Sequence, residues 1–389
     1  MFLKNKKKES CDRVWPDYYF YRSSLLRMFF RVIDAIGFIF FLSKPKIAKP
    51  IDKILVINLG GAGDLVISAP LLSVLSAFSG KKVDLVCVPG REKVLLNSPM
   101  LGKVFYAELP WSGGERGLLR SLLALFRLRQ IVRSEKYDVA LDVKGDPIII
   151  LLMLLSKITF RVGFNNGGLG FLLTHPVSQP DKIRRYKALL SLADVFTPAS
   201  SDYNCPPSLS RYNNLELSDM GQFIDSVDKS KFVIVVHLGA STQSRRWPLI
   251  YWGNLLTRLV NRYNIIIIGS QDDSKALFKQ LPNLAGVCID LSGRPWVETA
   301  RIIKKANIFI GANSGPAHLA AALGRPVISI FSAANDPDVW APPGAEVLIF
   351  QPACRDCELS YCERLTCLKE ITPAEVEEKI SKILENFSI

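Results

Sequence analysis

From residue 53 onward, the sequence alternates between short runs of aliphatic and β-branched residues and longer segments with helical spacing. The first run ends at the glycine-rich stretch 60–63, and a helical segment follows from Asp64. After a polar region broken by prolines, the same alternation restarts at Phe232. Strands that alternate with helices form parallel sheets with helices on both faces. The sequence therefore predicts an α/β chain with two consecutive doubly wound domains.

The two series of elements set the predicted domain boundaries. Residues 1–50 form a basic, apolar segment, 51–220 a first Rossmann-like domain and 221–389 a second, with the polar stretch 198–231 as linker. Two such domains create a cleft at the carboxyl ends of both sets of strands. The predicted elements are strands at 53–59, 83–88, 138–143, 232–237, 265–269, 308–310 and 327–331, and helices from 64 and at 118–133, 148–155 (buried), 250–262, 297–305 and 317–323.

The composition is that of a globular protein, with 49% hydrophobic and 22% charged residues among 389. It excludes a wholly disordered chain, a collagen-like repeat and a coiled coil. Much of the net charge of +13 lies in the first 50 residues, which hold 11 Lys and Arg against 4 Asp and Glu. Basic residues beside aromatic and aliphatic ones favour an anionic membrane surface, whereas no nucleic-acid-binding module is recognisable.

The N-terminal apolar stretch runs from Leu25 to Leu42 and is interrupted by charged residues. It lacks the cleavage site of a secretory signal, and its apolar runs are shorter than the roughly 20 residues that span a bilayer. We expect an interfacial helix, peripheral on the inner face of the cytoplasmic membrane; a helix packed on its own protein is the alternative. The lysines expected to face anionic headgroups are Lys4, Lys6, Lys7 and Lys8.

The loop after the first strand reads Asn58-Leu-Gly-Gly-Ala-Gly-Asp64. Its glycines, Gly60, Gly61 and Gly63, allow the backbone to approach a ligand, and the helix that follows offers free N–H groups. The spacing differs from the GxGxxG dinucleotide fingerprint. Asp64 has two interpretations, as a helix N-cap or as a general base that faces the cleft.

A second loop, His237-Leu-Gly-Ala-Ser-Thr-Gln-Ser-Arg-Arg-Trp-Pro248, also follows a strand. Hydroxyl donors combined with paired arginines suit a diphosphate group, although a basic surface loop would have a similar composition. Pro248 is expected to open the next helix. The candidate donor-binding residues here are Ser241, Thr242, Ser244 and Arg245, with Gly269 at the end of the neighbouring strand.

A third loop places Asn313, Ser314 and Gly315 just ahead of a helix, with Pro316 in its first turn. Backbone N–H groups and the helix dipole at such a position form an anion site. His318 lies one helical turn beyond Ser314, and a histidine there can be structural or catalytic.

Together, the three loops resemble the ADP-heptose:lipopolysaccharide heptosyltransferase family, glycosyltransferase family 9. The resemblance extends over about residues 52–380. It rests on Gly63-Asp64 with Pro70, Arg245-Arg246-Trp247-Pro248 and Asn313-Ser314-Gly315-Pro316-Ala317-His318, with further similarity at 137–145, 161–163 and 291–293.

This resemblance implies a GT-B fold, with the acceptor on the first domain and a nucleoside diphosphate sugar, ADP-heptose, on the second. It also implies inversion at the anomeric carbon, a lipopolysaccharide-core or other lipid-linked glycan acceptor, and no required metal or cofactor. Asp64 corresponds to the family's catalytic base, Arg245 to its donor-phosphate Lys, and Ser314 with Gly315 to its phosphate-binding helix start. Asn313 stands where the family usually has Asp, which removes a negative charge beside the donor.

Half of the eight cysteines are clustered near the end of the chain. Because only the first pair has the usual spacing of zinc ligands, the cluster is either a structural metal site or a group of free or disulfide-capable thiols. Without a signal peptide, reduced cytoplasmic thiols are the expectation. The clustered residues are Cys354, Cys357, Cys362 and Cys367.

Two other functions remain compatible with these loops. A sugar-nucleotide epimerase or hydrolase on the same scaffold would turn over the nucleotide sugar without an acceptor. A non-catalytic nucleotide-sugar- or membrane-binding module would bind its ligand without turnover.

Overall fold

The computed structural model describes residues 24–40, 50–95, 98–109, 118–179, 182–196, 206–209, 227–355, 357 and 359–385. In chain order the helices and strands are α1 (Ser24–Phe40), β1 (Ile54–Asn58), α2 (Ala62–Ser79), β2 (Val83–Cys87), β3 (Leu101–Tyr106), α3 (Leu118–Glu135), β4 (Val139–Asp142), α4 (Pro147–Leu155), β5 (Phe160–Phe164), β6 (His175–Val177), α5 (Arg185–Leu190), β7 (Val233–His237), α6 (Leu249–Leu259), β8 (Asn264–Ile268), α7 (Gln271–Gln280), β9 (Ile289–Asp290), α8 (Trp296–Lys305), β10 (Ile308–Ala312), α9 (Gly315–Ala322), β11 (Val327–Phe331), α10 (Pro337–Trp340), β12 (Glu346–Ile349), α11 (Thr366–Lys369) and α12 (Pro373–Glu385).

Two parallel six-stranded sheets form the centre of the fold. The first has the order β3-β2-β1-β4-β5-β6, and the second has the equivalent order β9-β8-β7-β10-β11-β12. In each sheet the first strand lies beside the fourth, so the chain reverses direction across the sheet at that point. Ligands bind outside the carboxyl ends of the strands at this switch point. The predicted pair of doubly wound domains in a GT-B arrangement is confirmed.

The strands predicted from sequence are mostly buried. All five residues of β1 and of β10 are buried, because helices cover each side of the sheet. The strands that were not predicted include β3 and β6 at the sheet edges, which are only partly buried, and β5 inside the first sheet, which is largely buried. None of these three sequences has a continuous apolar run; in β5, Arg161 and Gly163 interrupt it.

Helix α2 joins the cores of the two domains. Leu65, Leu72 and Leu75 are fully buried in it, and the helix contacts α5 of the first domain and α9 of the second. The apolar core that surrounds it continues from β1 to α8 and α9. Among the helices that the structure describes, α2 alone is long and apolar enough to cross a membrane, but half of it is buried inside the protein.

The predicted linker 198–231 and the domain boundary at residue 220 lie mainly outside the described residues. The described residues 206–209 run beside the second domain. There the backbone N–H of Leu209 donates to the carbonyl oxygen of Ala322, at the end of α9, over 2.7 Å.

Helix α1 covers most of the apolar stretch predicted to be helical, and one side of it packs on the first domain. Phe38 makes an edge-to-face contact with Phe171, at a centroid distance of 6.5 Å, and Phe30 lies against Gly168. The other side exposes large apolar side chains, including Leu25 and Phe29. The four N-terminal lysines lie outside the described residues. The alternative of a helix packed on its own protein therefore holds for one face of α1.

Helix α4 corresponds to the segment 148–155 that was predicted to be buried. Its inner residues Ile149, Ile150 and Met153 are buried against the sheet. Ile148 and Leu155, however, are 38% and 48% exposed. The prediction is wrong for this outer face, because α4 forms an outer layer of the domain rather than its centre.

Candidate active site

A cleft of ≈ 940 Å³ lies between the two sheets. Loops at the carboxyl ends of β1, β7, β8 and β10 contribute to its walls, as the topology requires. Of the thirteen predicted site residues, twelve line it: Gly60, Gly61, Gly63, Asp64, Ser241, Thr242, Arg245, Gly269, Asn313, Ser314, Gly315 and His318.

Asp64 lies in the first turn of α2, two residues after the helix start. Its Oδ2 atom accepts a hydrogen bond from the backbone N–H of Gly61 over 2.6 Å. The carboxylate thus stabilises the beginning of the helix, although Gly61 rather than Asp64 is the N-cap residue. Among the described residues, no hydrogen bond engages the other carboxylate oxygen, Oδ1. The interpretation of Asp64 as the N-cap residue is therefore wrong, since Asp64 caps the helix from within its first turn. The interpretation as a general base stays a prediction, and Asp64 does line the cleft.

The loop before Asp64 is held by side chains from its own domain. Asn58 accepts a hydrogen bond from the Gly60 N–H over 3.0 Å and donates to the Asp64 carbonyl oxygen over 3.2 Å. The Arg91 guanidinium donates to the Gly60 carbonyl oxygen. These contacts fix the backbone that carries Asp64.

The first turns of α2 and α9 meet across the cleft at two glycines. A Cβ atom on Gly63 would lie 3.2 Å from Cα of Gly315 and 3.3 Å from Cδ2 of His318. This close approach brings Asp64 near His318, whose ring is 7% exposed. Burial lowers the pKa of His318 to about 4, although the negative charge of Asp64 by itself raises this pKa. His318 is therefore a neutral imidazole at neutral pH.

The loop after β7 presents a fixed guanidinium to the cleft. Nε of Arg245 donates to Oγ1 of Thr242, and Nη2 donates to Oγ of Ser241, both over 2.8 Å. The next residues anchor the loop, since Trp247 is buried and its indole N–H donates to the Ile371 carbonyl oxygen over 3.0 Å. Pro248 directly precedes α6, close to its predicted place.

Ser244 is the predicted site residue that does not line the cleft. It is 2% exposed, and its hydroxyl donates to the Leu359 carbonyl oxygen. Its backbone N–H donates to the Ser360 carbonyl oxygen over 3.2 Å. Ser244 thus fixes the loop after β7, which carries Arg245, to a segment more than a hundred residues away. Its hydroxyl is not directed at a ligand.

Ser314 is the N-cap residue of α9, yet its hydroxyl makes no capping hydrogen bond. Instead, Oγ lies 3.2 Å from Nδ1 of His237, at the end of β7. Burial, with a smaller contribution from Arg246, lowers the pKa of His237 to about 4. Gly269 (φ +109°) packs on this ring, and a Cβ there would lie 2.6 Å from Cδ2 of His237. The Ala317 and His318 N–H groups donate to the Ser314 carbonyl oxygen, and Pro316 has no N–H. The Gly315 N–H and the Ser314 hydroxyl are therefore the polar donors at the start of α9.

Several further residues of the cleft were not predicted as site residues. Arg91 and Lys144 follow β2 and β4 and face the cleft from the first domain, whereas Arg294 belongs to the second. These three residues lie after strand ends, but a single basic residue in a loop resembles an ordinary surface residue. Arg246, the second of the paired arginines expected to suit a diphosphate, also lines the cleft and pairs with Asp273 at 2.7 Å. The excess of cationic over anionic side chains makes the cleft suited to phosphorylated ligands.

The four clustered cysteines lie among the described residues without a disulfide between them, and none of them lines the cleft. Burial is the main cause that raises the pKa of Cys367. In the part of the chain that the structure describes, no group of three or more His, Cys, Asp or Glu side chains is arranged to hold a metal ion. The cysteine geometry thus gives no support to the structural metal site considered from the sequence.

Comparison with known proteins decides the family. Residues 125–363 match glycosyltransferase family 9 (heptosyltransferase), and this region is more than half of the chain. The protein belongs to glycosyltransferase family 9. The resemblance inferred from the three loops is thereby confirmed, and so is the prediction of an enzyme of the transferase class.

Members of glycosyltransferase family 9 resemble this chain over most of its length. The lipopolysaccharide heptosyltransferase 2 of Salmonella typhimurium is 26% identical over 362 residues, which cover 87% of this chain and 100% of the relative. Lipooligosaccharide heptosyltransferase 2 of Haemophilus influenzae is 22% identical over 358 residues, with 85% and 99% covered. The structure of Escherichia coli ADP-heptose lipopolysaccharide heptosyltransferase II superimposes with a TM-score of 0.70 at 20% identity, covering 87% of this chain and 100% of that one. The fold is therefore shared.

Proposed function

We propose that this protein is an inverting, metal-independent heptosyltransferase that transfers heptose from ADP-heptose to a lipopolysaccharide-core acceptor. The observation that carries the proposal is the position of the Asp64 carboxylate opposite the start of α9, with both lining one cleft. The names of the relatives support the sugar and the class of acceptor, and that of the structural neighbour supports the donor.

On the acceptor side, Asp64 is the proposed general base. Its Oδ1 atom accepts the proton of the acceptor hydroxyl while the hydroxyl oxygen attacks the anomeric carbon of the donor. The bond between the anomeric carbon and the diphosphate oxygen breaks in the same step, and its electron pair leaves with ADP. Attack from the side opposite to the leaving group inverts the configuration at that carbon.

On the donor side, the departing diphosphate gains negative charge, which the second domain stabilises. Arg245 supplies a guanidinium already fixed by Ser241 and Thr242, so little reorganisation accompanies the reaction. The Ser314 hydroxyl and the backbone N–H of Gly315 supply neutral donors at the positive end of the α9 dipole. Pro316 has no N–H, and the N–H groups of Ala317 and His318 donate to the Ser314 carbonyl oxygen. Arginine and N–H donors can provide the charge stabilisation that other transferases obtain from a divalent metal.

We also propose which substrate each domain binds and where in the cell the enzyme lies. Residues 51–220 would bind the acceptor and 221–389 the donor, with the cleft as their shared reaction site. The segment 1–50, whose described part is α1, would hold the enzyme peripherally at an anionic membrane surface on the cytoplasmic side, where a lipid-linked acceptor is available.

A donor-binding screen followed by a transfer assay tests this function. ADP-heptose is expected to raise the melting temperature in the presence of EDTA, whereas GDP-, UDP- and dTDP-sugars are expected to have smaller effects. Adding a heptose-deficient lipopolysaccharide acceptor should then produce ADP and a heptosylated product. Turnover of ADP-heptose without acceptor would favour the epimerase or hydrolase instead, and stabilisation with no transfer to any acceptor would favour a binding module. Activity that EDTA abolishes and a divalent metal restores would contradict metal independence.

A further inference from the structure

Helices α3 and α4 present apolar side chains away from the sheet that they cover. The inner residues Leu128 and Val132 of α3 are buried in the core of the first domain. On its outer side Leu122, Leu123 and Phe126 are 54%, 49% and 54% exposed. The outer face of a helix on a water-exposed domain is normally polar, so this surface is unusual.

The outer face of α4 continues the apolar surface. Ile148, Leu151 and Leu155 are spaced by three and four residues, and they are 38%, 39% and 48% exposed. The two helices contact each other, and Nε of Arg129 on α3 donates to the Leu155 carbonyl oxygen on α4 over 3.1 Å. The exposed side chains of α3 and α4 thus form one surface, which we call the α3–α4 face.

Basic side chains surround the α3–α4 face. Helix α3 contains four arginines and one acidic residue, Glu135, and Arg127 and Arg133 are exposed. Glu135 is paired with Lys53 at 2.9 Å and with Lys103 at 2.7 Å, so it does not offset the arginines. Lys157 is exposed just beyond the end of α4. Apolar residues within a basic border are complementary to an anionic lipid surface.

The α3–α4 face is connected to the exposed face of α1. The short turn Gly170–Leu172 packs against both α4 and α1, with Phe171 in contact with Phe38 of α1. The exposed large apolar side chains described in α1 are those of Leu25, Leu26, Met28, Phe29, Val32, Ile36 and Ile39. Helix α1 and two helices of the first domain therefore expose apolar residues next to one another.

We infer that the α3–α4 face docks on an anionic phospholipid bilayer as a second membrane contact, in addition to the N-terminal segment. A second copy of the chain fits this face less well, because the arginines of the two copies would oppose each other. Helix α4 begins three residues after Lys144, which lines the cleft, so docking brings the bilayer next to the acceptor side of the cleft. The inference rests on the proposed function for its lipid-linked acceptor, whereas the contact itself is measured without any transfer reaction.

Vesicle binding by the full chain tests the inference. The α3–α4 variant carries Leu122→Ser, Phe126→Ser and Leu151→Ser, and the α1 variant carries Leu25→Ser, Phe29→Ser and Ile36→Ser. The control variant carries Ile250→Ser, Val287→Ser and Phe350→Ser, which remove side chains of similar exposure (51%, 50% and 43%) from the second domain. Circular dichroism and the melting-temperature increase with ADP-heptose verify that each variant is folded and report on the donor site separately.

Co-sedimentation with phosphatidylethanolamine–phosphatidylglycerol vesicles provides the readout. We expect the α3–α4 variant to lose about tenfold or more in partitioning, since three apolar side chains no longer enter the interface. The control variant should partition like the wild type, and replacing phosphatidylglycerol by phosphatidylcholine should weaken wild-type binding. Wild-type partitioning of the α3–α4 variant would overturn the inference. So would a wild-type dimer, detected by sedimentation equilibrium, that the α3–α4 substitutions dissociate.

Discussion

Gly63 and Gly315 touch across the cleft, so closely that a Cβ atom on Gly63 would lie 3.2 Å from Cα of Gly315. The two residues lie in the first turns of α2, which carries the proposed base, and of α9, whose start is the proposed phosphate-binding turn. A glycine at each position lets the two helix starts approach, and this approach sets the distance between the acceptor and donor halves of the site.

Gly63→Ala should therefore impair transfer without unfolding the protein. The added methyl group would contact backbone at Gly315 and the buried His318 ring at 3.3 Å, and relief of these contacts requires the helix starts to separate. We expect kcat/KM to fall about tenfold or more, which corresponds to ~1.4 kcal/mol of transition-state stabilisation. Steady-state kinetics measure the effect. Gly61→Ala is the matched comparison, because its Cβ would meet only Asp64 Oδ2 at 3.6 Å; an equal loss in both variants would contradict the packing argument.

Asp64→Asn should abolish transfer while donor binding is kept. The amide oxygen of asparagine can still accept the Gly61 N–H bond that Asp64 makes at 2.6 Å, so the helix start is preserved. An amide cannot take the acceptor proton, and general-base catalysis typically contributes about 10²–10⁴-fold. Isothermal titration with ADP-heptose measures binding, and ADP release measures turnover. An active Asp64→Asn enzyme would exclude Asp64 as the base.

Arg245→Ala should weaken donor binding by about 1.5–3 kcal/mol, as expected for a charge-assisted hydrogen bond. This corresponds to roughly ten- to a hundredfold in Kd for the nucleotide sugar. Arg245→Lys should recover part of the loss, because it restores the charge without the planar fork. Arg258→Ala is the control, since Arg258 is an exposed arginine on α6 that pairs with Glu377. Unchanged affinity in Arg245→Ala would mean that the diphosphate binds elsewhere.

His318 should make the free energy of unfolding depend on pH. Burial lowers its pKa from 6.5 to about 4 in the folded protein, so the unfolded chain binds more protons between these values. The stabilisation that His318 contributes is complete above pH 6.5 and decreases as the pH falls towards 4, by up to about 1.4 kcal/mol per pH unit.

The His318→Gln variant removes this titration. Its free energy of unfolding should fall less steeply than that of the wild type from pH 6.5 to 4, as measured by urea denaturation at each pH. The comparison must be made between the two proteins, because burial raises the pKa of Asp142 to about 7, with Asp146 as a second cause. A raised carboxyl pKa gives the opposite slope in this range. Parallel curves for wild type and variant would show that His318 is not buried as a neutral ring.

The sequence predicted the centre of the fold better than its edges. β1, β7 and β10 are covered on both faces, and burial on both faces leaves a continuous apolar run that is readable in the chain. β3 and β12 form sheet edges and are only partly buried, so their residues are mixed and give no such run. Likewise, the apolar segment of α4 indicates a helix but not whether solvent, protein or lipid covers its outer face.

The candidate site was predictable where one loop after a strand combined several glycine, hydroxyl or basic residues. The three strand-end loops supplied eleven of the twelve predicted residues that line the cleft, and Gly269 at the end of β8 is the twelfth. They meet there because parallel strands bring their carboxyl ends to one edge. Ser244 does not line the cleft, because its hydroxyl donates to the carbonyl oxygen of Leu359, 115 positions away. The sequence around Ser244 does not indicate that partner. Arg91 and Lys144 each stand alone in a loop, and only the assembled sheet brings them to the cleft.

The stereochemistry and mass of the transfer product are the most direct test of an inverting heptosyl transfer. The wild-type enzyme would be incubated in EDTA with ADP-heptose and a heptose-deficient lipopolysaccharide core, and the product analysed by mass spectrometry and by proton NMR of the new anomeric centre. A single displacement with Asp64 as the base predicts one added heptose per acceptor, one ADP released for each, and an anomeric configuration opposite to that of the donor. Retention of configuration, or ADP release without heptose on the acceptor, would contradict single displacement with Asp64 as the base.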